Sequence, residues 1–357
     1  MSETVNNSIS QSDNYDLVVD AMGGDKAPNI VIKGLDITAL RHPQAKILLI
    51  GDNSKIKPLL DKHPRAAAIC TIRHTEIYVP MDMKPTAALK LRDSSLRMAM
   101  ESVSRKEAKG VISAGNSGAM LALAKIIVKT MPGITRPAMA AISPTAKGDI
   151  IMLDLGANVA CDSRNLVEFA IMGHAFAKAV LGLPNPSIGL LNVGSEELKG
   201  DERLRQASDI LKQSPLSKQF YGFIEGYDIT AGTTDVVVTD GFTGNVALKT
   251  GEGAFRLVFH LLKQVYSSGL RGKLGYLLVR PGLERMREWL DPGRYNGAVF
   301  VGLNGVVVKS HGGADAESFA YAIDVAMDMI QHGFYDEILK GLSQVDLDHI
   351  SNMTKNK

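Results

Sequence analysis

The residues of this chain that could do chemistry recur in one setting: short turns that combine glycine with Asp, Asn or Ser. Six stand out: Asp20-Ala-Met-Gly-Gly-Asp25, Ser113-Ala-Gly-Asn-Ser-Gly118, Asp154-Leu-Gly-Ala-Asn158, Asn192-Val-Gly-Ser-Glu-Glu197, Asp240-Gly-Phe-Thr-Gly-Asn245 and Ser310-His-Gly-Gly-Ala-Asp315. Glycine lets a backbone come close to a ligand. Free N–H groups at helix starts suit an anion. Six loops of this kind suggest a cleft floored by backbone donors.

Within and beside these loops lie the candidate site residues. Lys199, just past the fourth loop, is the first choice for a cation that meets an anionic group, against the plainer reading of a solvated loop lysine. His311 could donate to an anion, act as an acid or base, or serve as a hydrogen-bonded turn residue. Asn116 and Ser117, with Asn158, Thr243 and Asn245, offer neutral donors where turn formation alone is the competing role. The Asn116–Ser117 loop is preferred among them. Gly23, Gly24, Gly118 and Gly194 are the positions where backbone would approach substrate. Asp25 reads as a helix cap, and Asp20 is left open between orienting a cation and a structural role. Lys84 and Arg92 could meet phosphate or an acidic partner, with surface solvation the alternative.

The elements that must position these residues follow from periodicity. Near-continuous apolar runs occur at Leu17–Val19, Ile47–Ile50, Val111–Ile112, Ile150–Leu155, Ile188–Leu191, Val236–Val238 and Val306–Val308. Such runs suit strands buried on both faces. Helical spacing falls between them at Pro28–Leu40, Ala87–Lys106, Ala119–Thr130, Leu166–Leu181 and Glu317–His332, with Pro28 suited to a first helical turn. Strand and helix in alternation predict an α/β fold, a doubly wound and mainly parallel sheet. Ligands bind outside the carboxyl ends of such strands, so the six loops are expected to floor one cleft. One segment breaks the rhythm. Ala254 to Leu290 reads as a projecting helical hairpin, residues 254–290, with its turn at Gly269–Gly275.

Length and composition set the limits. The chain has 357 residues, 45% of them apolar, with formal net charge +2, so nothing points to nucleic acid. Residues 1–14 are polar and read as a disordered extension, 15–345 as one α/β domain, and 346–357 as a tail. No apolar run approaches the ~18 residues that would span a bilayer. Its two cysteines, Cys70 and Cys161, are far apart and suit a reducing, cytoplasmic setting. No His flanks Cys161, which argues against thiol catalysis. Dinucleotide and P-loop signatures are absent, as are H-E-x-x-H and G-x-S-x-G. Asp324 and Asp328 read as a solvated helix face. No metal site and no cofactor are expected.

Asp20-Ala-Met-Gly-Gly-Asp25-Lys-Ala-Pro28 resembles the opening motif of the bacterial phosphate acyltransferases. Six further segments are similar to that family: Lys84–Lys90, Ser113–Ala119, Asp154–Asn158, Asn192–Gly200, Asp240–Asn245 and Lys309–Asp315. The resemblance runs in order from Asp16 to Gly341. It implies transfer of a fatty acyl group from acyl carrier protein to inorganic phosphate, a first step of phospholipid synthesis. It also implies a fold related to isocitrate and isopropylmalate dehydrogenases, a homodimer, and loose membrane association that serves a membrane-bound glycerol-phosphate acyltransferase. A thioester is already activated, so phosphate can attack it directly, and positioning supplies much of the rest. The match strengthens Lys199 as a functional cation and makes the acidic carrier protein a candidate partner for Lys84 and Arg92. The hairpin stripe would pack against its twin, and its tip, Leu270 to Val279, could meet an anionic membrane surface. Three rivals remain: a phosphate acetyl- or butyryltransferase that uses coenzyme A, an isocitrate-type dehydrogenase, and a non-catalytic membrane scaffold.

Overall fold

The computed structural model describes residues 15–290 and 293–343. The expected extension at 1–14 and tail at 346–357 lie outside the described residues. In chain order, the first half runs β1 (Tyr15–Asp20), α1 (Asn29–Arg41), β2 (Ile47–Gly51), α2 (Asn53–Leu60), α3 (Pro64–Ile69), β3 (Cys70–His74), α4 (Pro85–Ala88), α5 (Ser95–Ser104), β4 (Ala108–Ser113) and α6 (Ser117–Ile127). The antiparallel pair β5 (Ala138–Thr145) and β6 (Gly148–Leu153) follows, then α7 (Ser163–Leu181), β7 (Ile188–Leu191), α8 (Glu202–Gln213), β8 (Phe220–Ile224), α9 (Gly226–Ala231) and β9 (Val236–Val238). The chain ends with α10 (Gly241–Ser267), α11 (Gly269–Trp289), β10 (Ala298–Val301), β11 (Val306–Lys309), α12 (Ala316–Gln331) and α13 (Phe334–Ser343).

The strands form one 11-stranded sheet in the order β3-β2-β1-β4-β11-β10-β5-β6-β9-β7-β8. Seven of its ten neighbouring pairs are parallel. The three antiparallel pairs, β11–β10, β10–β5 and β5–β6, are consecutive. Three reversals in a row leave β6, β9, β7 and β8 pointing opposite to β1, β2, β3, β4 and β11. Both faces are covered, as near-continuous apolar strands require. One core holds Leu17, Val19, Ile112, Val306 and Val308 with side chains of α1, α7 and α12. A second holds Val18, Val111 and Val307 with side chains of α5 and α6, and a third, smaller one holds Ile150, Met152 and Val237 with Ile229 of α9. Helices α1 and α12 are tied by Arg41, which pairs with Asp324 and Glu317. Asp324 also bonds His42 at 2.9 Å, so it joins two helices where a free solvated carboxylate was expected.

Two expected helices have different bounds. Ala87–Lys106 splits into α4 and α5. Thr75 Oγ1 donates to Asp93 O at 2.7 Å and Ser95 N donates to Ile77 O at 2.8 Å, which fixes the break, and Ser94 caps α5. The second is α10, which starts thirteen residues before Ala254, at Gly241, under the Asp240 cap. Gly241 and Gly244 read as turn glycines but sit in its first turn. A Cβ would lie 2.6 Å from Asn158 O at Gly241 and 2.0 Å from Asp154 O at Gly244. Glycine there lets the helix press against the loop after β6. Ser268, between α10 and α11, replaces the expected turn at Gly269–Gly275. Tyr266 and Tyr276 meet across the pair with ring centroids 6.0 Å apart and planes tilted by 58°, while Leu257, Leu261, Leu274 and Leu277 stay exposed. Among the described residues no helix is long and apolar enough to cross a membrane.

Candidate active site

The sheet reversal divides the six glycine loops. Those after β1, β4 and β11 gather at one edge of the sheet; those after β6, β7 and β9 lie at the opposite edge. The two sets of loops leave their strands in opposite directions, so within one chain the six do not share the single floor expected from sequence. His311 and Asn116 are at the first edge with Asp20, Gly23, Gly24, Lys84, Ser117 and Gly118. Lys199 is at the second, with Asn158, Gly194, Thr243 and Asn245.

The first edge is built from three neighbouring parallel strands in register. Val18 pairs with Val111 and Val111 with Val307. Two residues further on, the same row and face end in Asp20, Ser113 and Lys309. Ser113 Oγ donates to Asp20 Oδ2 at 2.7 Å and accepts from Gly115 N at 2.9 Å. Asp20 is 2% exposed and its other oxygen accepts from Met22 N. Burial pushes its carboxyl above the usual range, against the bonds from Ser113 and Met22. Gly23 covers this pair: a Cβ would lie 2.6 Å from Asp20 Oδ2 and 2.6 Å from Ser113 Oγ. Its close approach is thus to protein atoms. Gly24, at φ +107°, would bring a Cβ 2.9 Å from that of Ala114.

Lys309 is 8% exposed. Its Nζ donates to Ala114 O at 3.3 Å and to Ser310 O. Burial pushes its ammonium down to about 8, against the pull of Asp25 and Asp20. Sequence reasoning gave Lys309 no role. The signal was present, because a lysine two residues after Val307 falls on a core-facing position of a buried strand.

His311 is exposed above it. Its N donates to Asn296 Oδ1 at 2.7 Å, and Asn296 in turn donates to Ser310 Oγ at 2.8 Å and to Ser318 O at 2.7 Å. Asn296, also absent from the sequence candidates, anchors the whole turn. His311 Nδ1 accepts from Gly313 N at 3.1 Å. An accepting Nδ1 places the neutral ring's proton on Nε2, leaving a donor aimed away from the turn.

The remaining candidates divide between positioning and exposure. Asn116 donates both amide hydrogens, to Met81 O at 2.7 Å and Met83 O at 2.9 Å, and its Oδ1 caps α6 by accepting from Ala119 N. It positions the α6 start and has no donor left for substrate. Ser117, Gly118 and Lys84 are exposed, and Pro85 lies against Gly118. Asp25 caps no helix: α1 begins after Pro28 with no side-chain cap, and Asp25 N donates instead to Gly312 O at 3.0 Å.

At the second edge, Asp154 accepts from the backbone of Met139, Gly156, Ala157 and Asn158. Asn158 donates to Pro137 O and Asp154 Oδ2, both at 2.8 Å, which engages both hydrogens of its amide. Thr243 Oγ1 bonds the Asp240 cap at 3.1 Å. Asn245 is exposed near Gly156. At Gly194 a Cβ would meet Glu196 Oε2 at 2.6 Å. Lys199 is 57% exposed and lies 3.9 Å from Glu196, the geometry of a loose surface pair. Cys161 is buried and its thiol is pushed up to about 12, chiefly by burial. Among the described residues no group of three or more His, Cys, Asp or Glu side chains is placed to hold a metal ion.

A family model described as fatty acid synthesis protein matches residues 15–337. The phosphate acyltransferase of Gluconacetobacter diazotrophicus is 71% identical over 346 residues, covering 97% of this chain and 92% of that protein. The phosphate acyltransferase of Gluconobacter oxydans is 70% identical over 339 residues, covering 95% and 92%. Among solved structures, a phosphotransacetylase from Streptococcus pyogenes aligns with TM-score 0.59 at 17% identity, covering 90% of this chain and 95% of that one. A branched-chain phosphotransacylase from Enterococcus faecalis aligns with TM-score 0.55 at 15% identity, covering 89% and 99%. These structural likenesses give a mixed α/β fold with a large, mostly parallel sheet.

Proposed function

The chain belongs to the phosphate acyltransferases, a family of fatty acid synthesis proteins, and from that premise we propose that it transfers a fatty acyl group from the thioester of acyl carrier protein to inorganic phosphate. A phosphate oxygen attacks the thioester carbonyl, the C–S bond breaks, and acyl phosphate leaves with the carrier thiol freed. The observation that carries this reading is His311: its Nδ1 is held by Gly313 N, so Nε2–H is free to donate beside three glycine-lined strand ends. That donor, with the amides of Ser117 and Gly118 at the start of α6, suits the developing oxyanion. The reaction centre is accordingly assigned to the first edge.

Lys84, Lys90 and Arg92 are exposed beside this edge, and the Met81–Met83 backbone joins their segment to the α6 start through Asn116. They suit an acidic carrier protein. Lys199 and the exposed loop around it are left for the thioester-bearing arm of the carrier or a second copy of the chain. The uncovered apolar residues of α10 and α11 suit a homodimer contact for most of their length, and the Leu270–Val279 tip an anionic membrane surface. The dehydrogenase-related fold class, the projecting hairpin as a unit, the single 15–345 domain, a cytoplasmic location and supply of a membrane-bound glycerol-phosphate acyltransferase complete the proposal.

The test is acyl phosphate formation from long-chain acyl carrier protein and inorganic phosphate, with the product trapped by hydroxylamine. Turnover is expected. Release of acyl phosphate from short acyl-coenzyme A alone overturns the assignment of the carrier protein, and lipid binding without turnover on either substrate leaves the scaffold reading.

A further inference from the structure

We propose that Lys309 is the cation of the phosphate subsite, and that this subsite lies at the ends of β1, β4 and β11. The proposal rests on the acyl transfer reading above but names a residue which that reading leaves without a role.

Lysine is an unusual end to a strand such as Val306-Val307-Val308-Lys309. Its neighbours in the row are buried, and it is itself 8% exposed. Burying an ammonium is costly unless a counter-charge or full hydrogen bonding offsets the loss of water. Here Nζ has two backbone carbonyls, Ala114 O and Ser310 O. Among the described residues no carboxylate lies within ion-pair distance. Ser113 stands between Lys309 and Asp20 in the row, and Asp20 is already held by Ser113 and Met22. One of its three N–H donors therefore has no protein acceptor among the described residues, and Asp25 and Asp20 act on the charge only from beyond ion-pair distance.

The surroundings favour an anion. Both carbonyl partners of Nζ sit in the glycine turns after β4 and β11. Gly24 and Gly312 lie against Ala114, with the Met81 methyl and the Asp25 carboxylate beside Gly312. The amides of Gly24, Lys26 and Gly312 donate to no protein acceptor among the described residues. A phosphate oxygen on Nζ would take up its third hydrogen and add the close counter-charge it lacks. The depressed ammonium fits a lysine that waits for its anion.

The test compares Lys309→Met and Lys199→Met with wild type in acyl phosphate synthesis, varying phosphate and acyl carrier protein separately. Heats of inorganic phosphate binding are measured alongside. A charge-assisted contact is worth roughly 10- to 100-fold in affinity. Lys309→Met is expected to raise the phosphate KM by about 30-fold or more and abolish the binding heat, with the KM for acyl carrier protein within about threefold. A structural role alone would move both KM values or neither. An unchanged phosphate KM in Lys309→Met, or a loss of phosphate affinity in Lys199→Met alone, overturns the proposal. If wild type binds phosphate through Lys309 but makes no acyl phosphate, the transfer reading fails and this one stands. If Lys309→Met does not fold, Asp25→Asn decides: removing the carboxylate that shares the field of Lys309 should tighten phosphate binding about two- to threefold, and no change overturns the subsite.

Discussion

His311 owes its expected role to one hydrogen bond. With Nδ1 accepting from Gly313 N, the neutral ring can offer Nε2–H without a change of charge. His311→Ala removes that donor and leaves the turn, which Asn296 holds through the His311 backbone. The expected result is a loss of about 100-fold in kcat with an unchanged melting temperature. Gly23 makes the opposite case. Its Cβ position is filled by Asp20 and Ser113 atoms 2.6 Å away, so Gly23→Ala is expected to lower stability by about 1–3 kcal/mol in denaturant unfolding. Lys309 adds a pH signature. Its folded-state value near 8 lies below the usual 10.5, so protonation opposes folding. The penalty is full below pH 8 and lifts as pH rises towards 10.5. Lys309→Met should therefore be more stable than wild type at pH 7 without phosphate, and that advantage should fade over this window. Parallel melting curves at pH 7 and pH 10 with no such convergence would count against a buried, charged Lys309.

At the scale of elements, the alternation of apolar runs and helical spacing was enough to read seven strands and the helices α1, α6, α7 and α12 that follow four of the six glycine loops. The four strands it missed, β3, β5, β8 and β10, have mixed or short patterns. Ala138–Thr145 includes Pro144, and Cys70–His74 includes Thr71 and Arg73 on a half-exposed strand. Helix bounds failed where distant backbone decided them. Nothing local in Ala87–Lys106 announces the bonds from Thr75 and to Ile77 that break it. Nor does local sequence reveal that Gly241 and Gly244 are packing glycines inside a helix. Asn116 follows the same logic, since its amide binds a segment more than thirty residues earlier. Asn116→Ala removes the α6 cap and both loop bonds. It should cost about 1–2 kcal/mol of stability. It should also raise the KM for acyl carrier protein, measured by initial rates, more than that for phosphate.

At the scale of the whole molecule, the direction of strands decides which residues can act together. The loop chemistry was legible in the sequence, but the three antiparallel steps that part the loops were not, because β5 and β10 were unread. Lys199 and His311 were therefore grouped by motif and are separated by topology. A double-mutant cycle turns that separation into a measurement. Groups with no shared partner contribute independently, and their effects add within about 0.5 kcal/mol. Groups that meet one transition state act as a unit and fall short of additivity. If each chain works alone, Lys199→Ala and His311→Ala should multiply in kcat/KM. Coupling well above that limit would require both side chains at one substrate. Since one sheet holds them at opposite edges, only a Lys199 supplied by a second copy, or a large closure of the sheet's two halves, could bring this about. Mixing the two single variants separates these cases. Recovery of about a quarter of wild-type activity in mixed dimers, as random assortment with one intact shared site predicts, would place Lys199 across the interface. No recovery beyond the separate variants would keep the two edges within one chain.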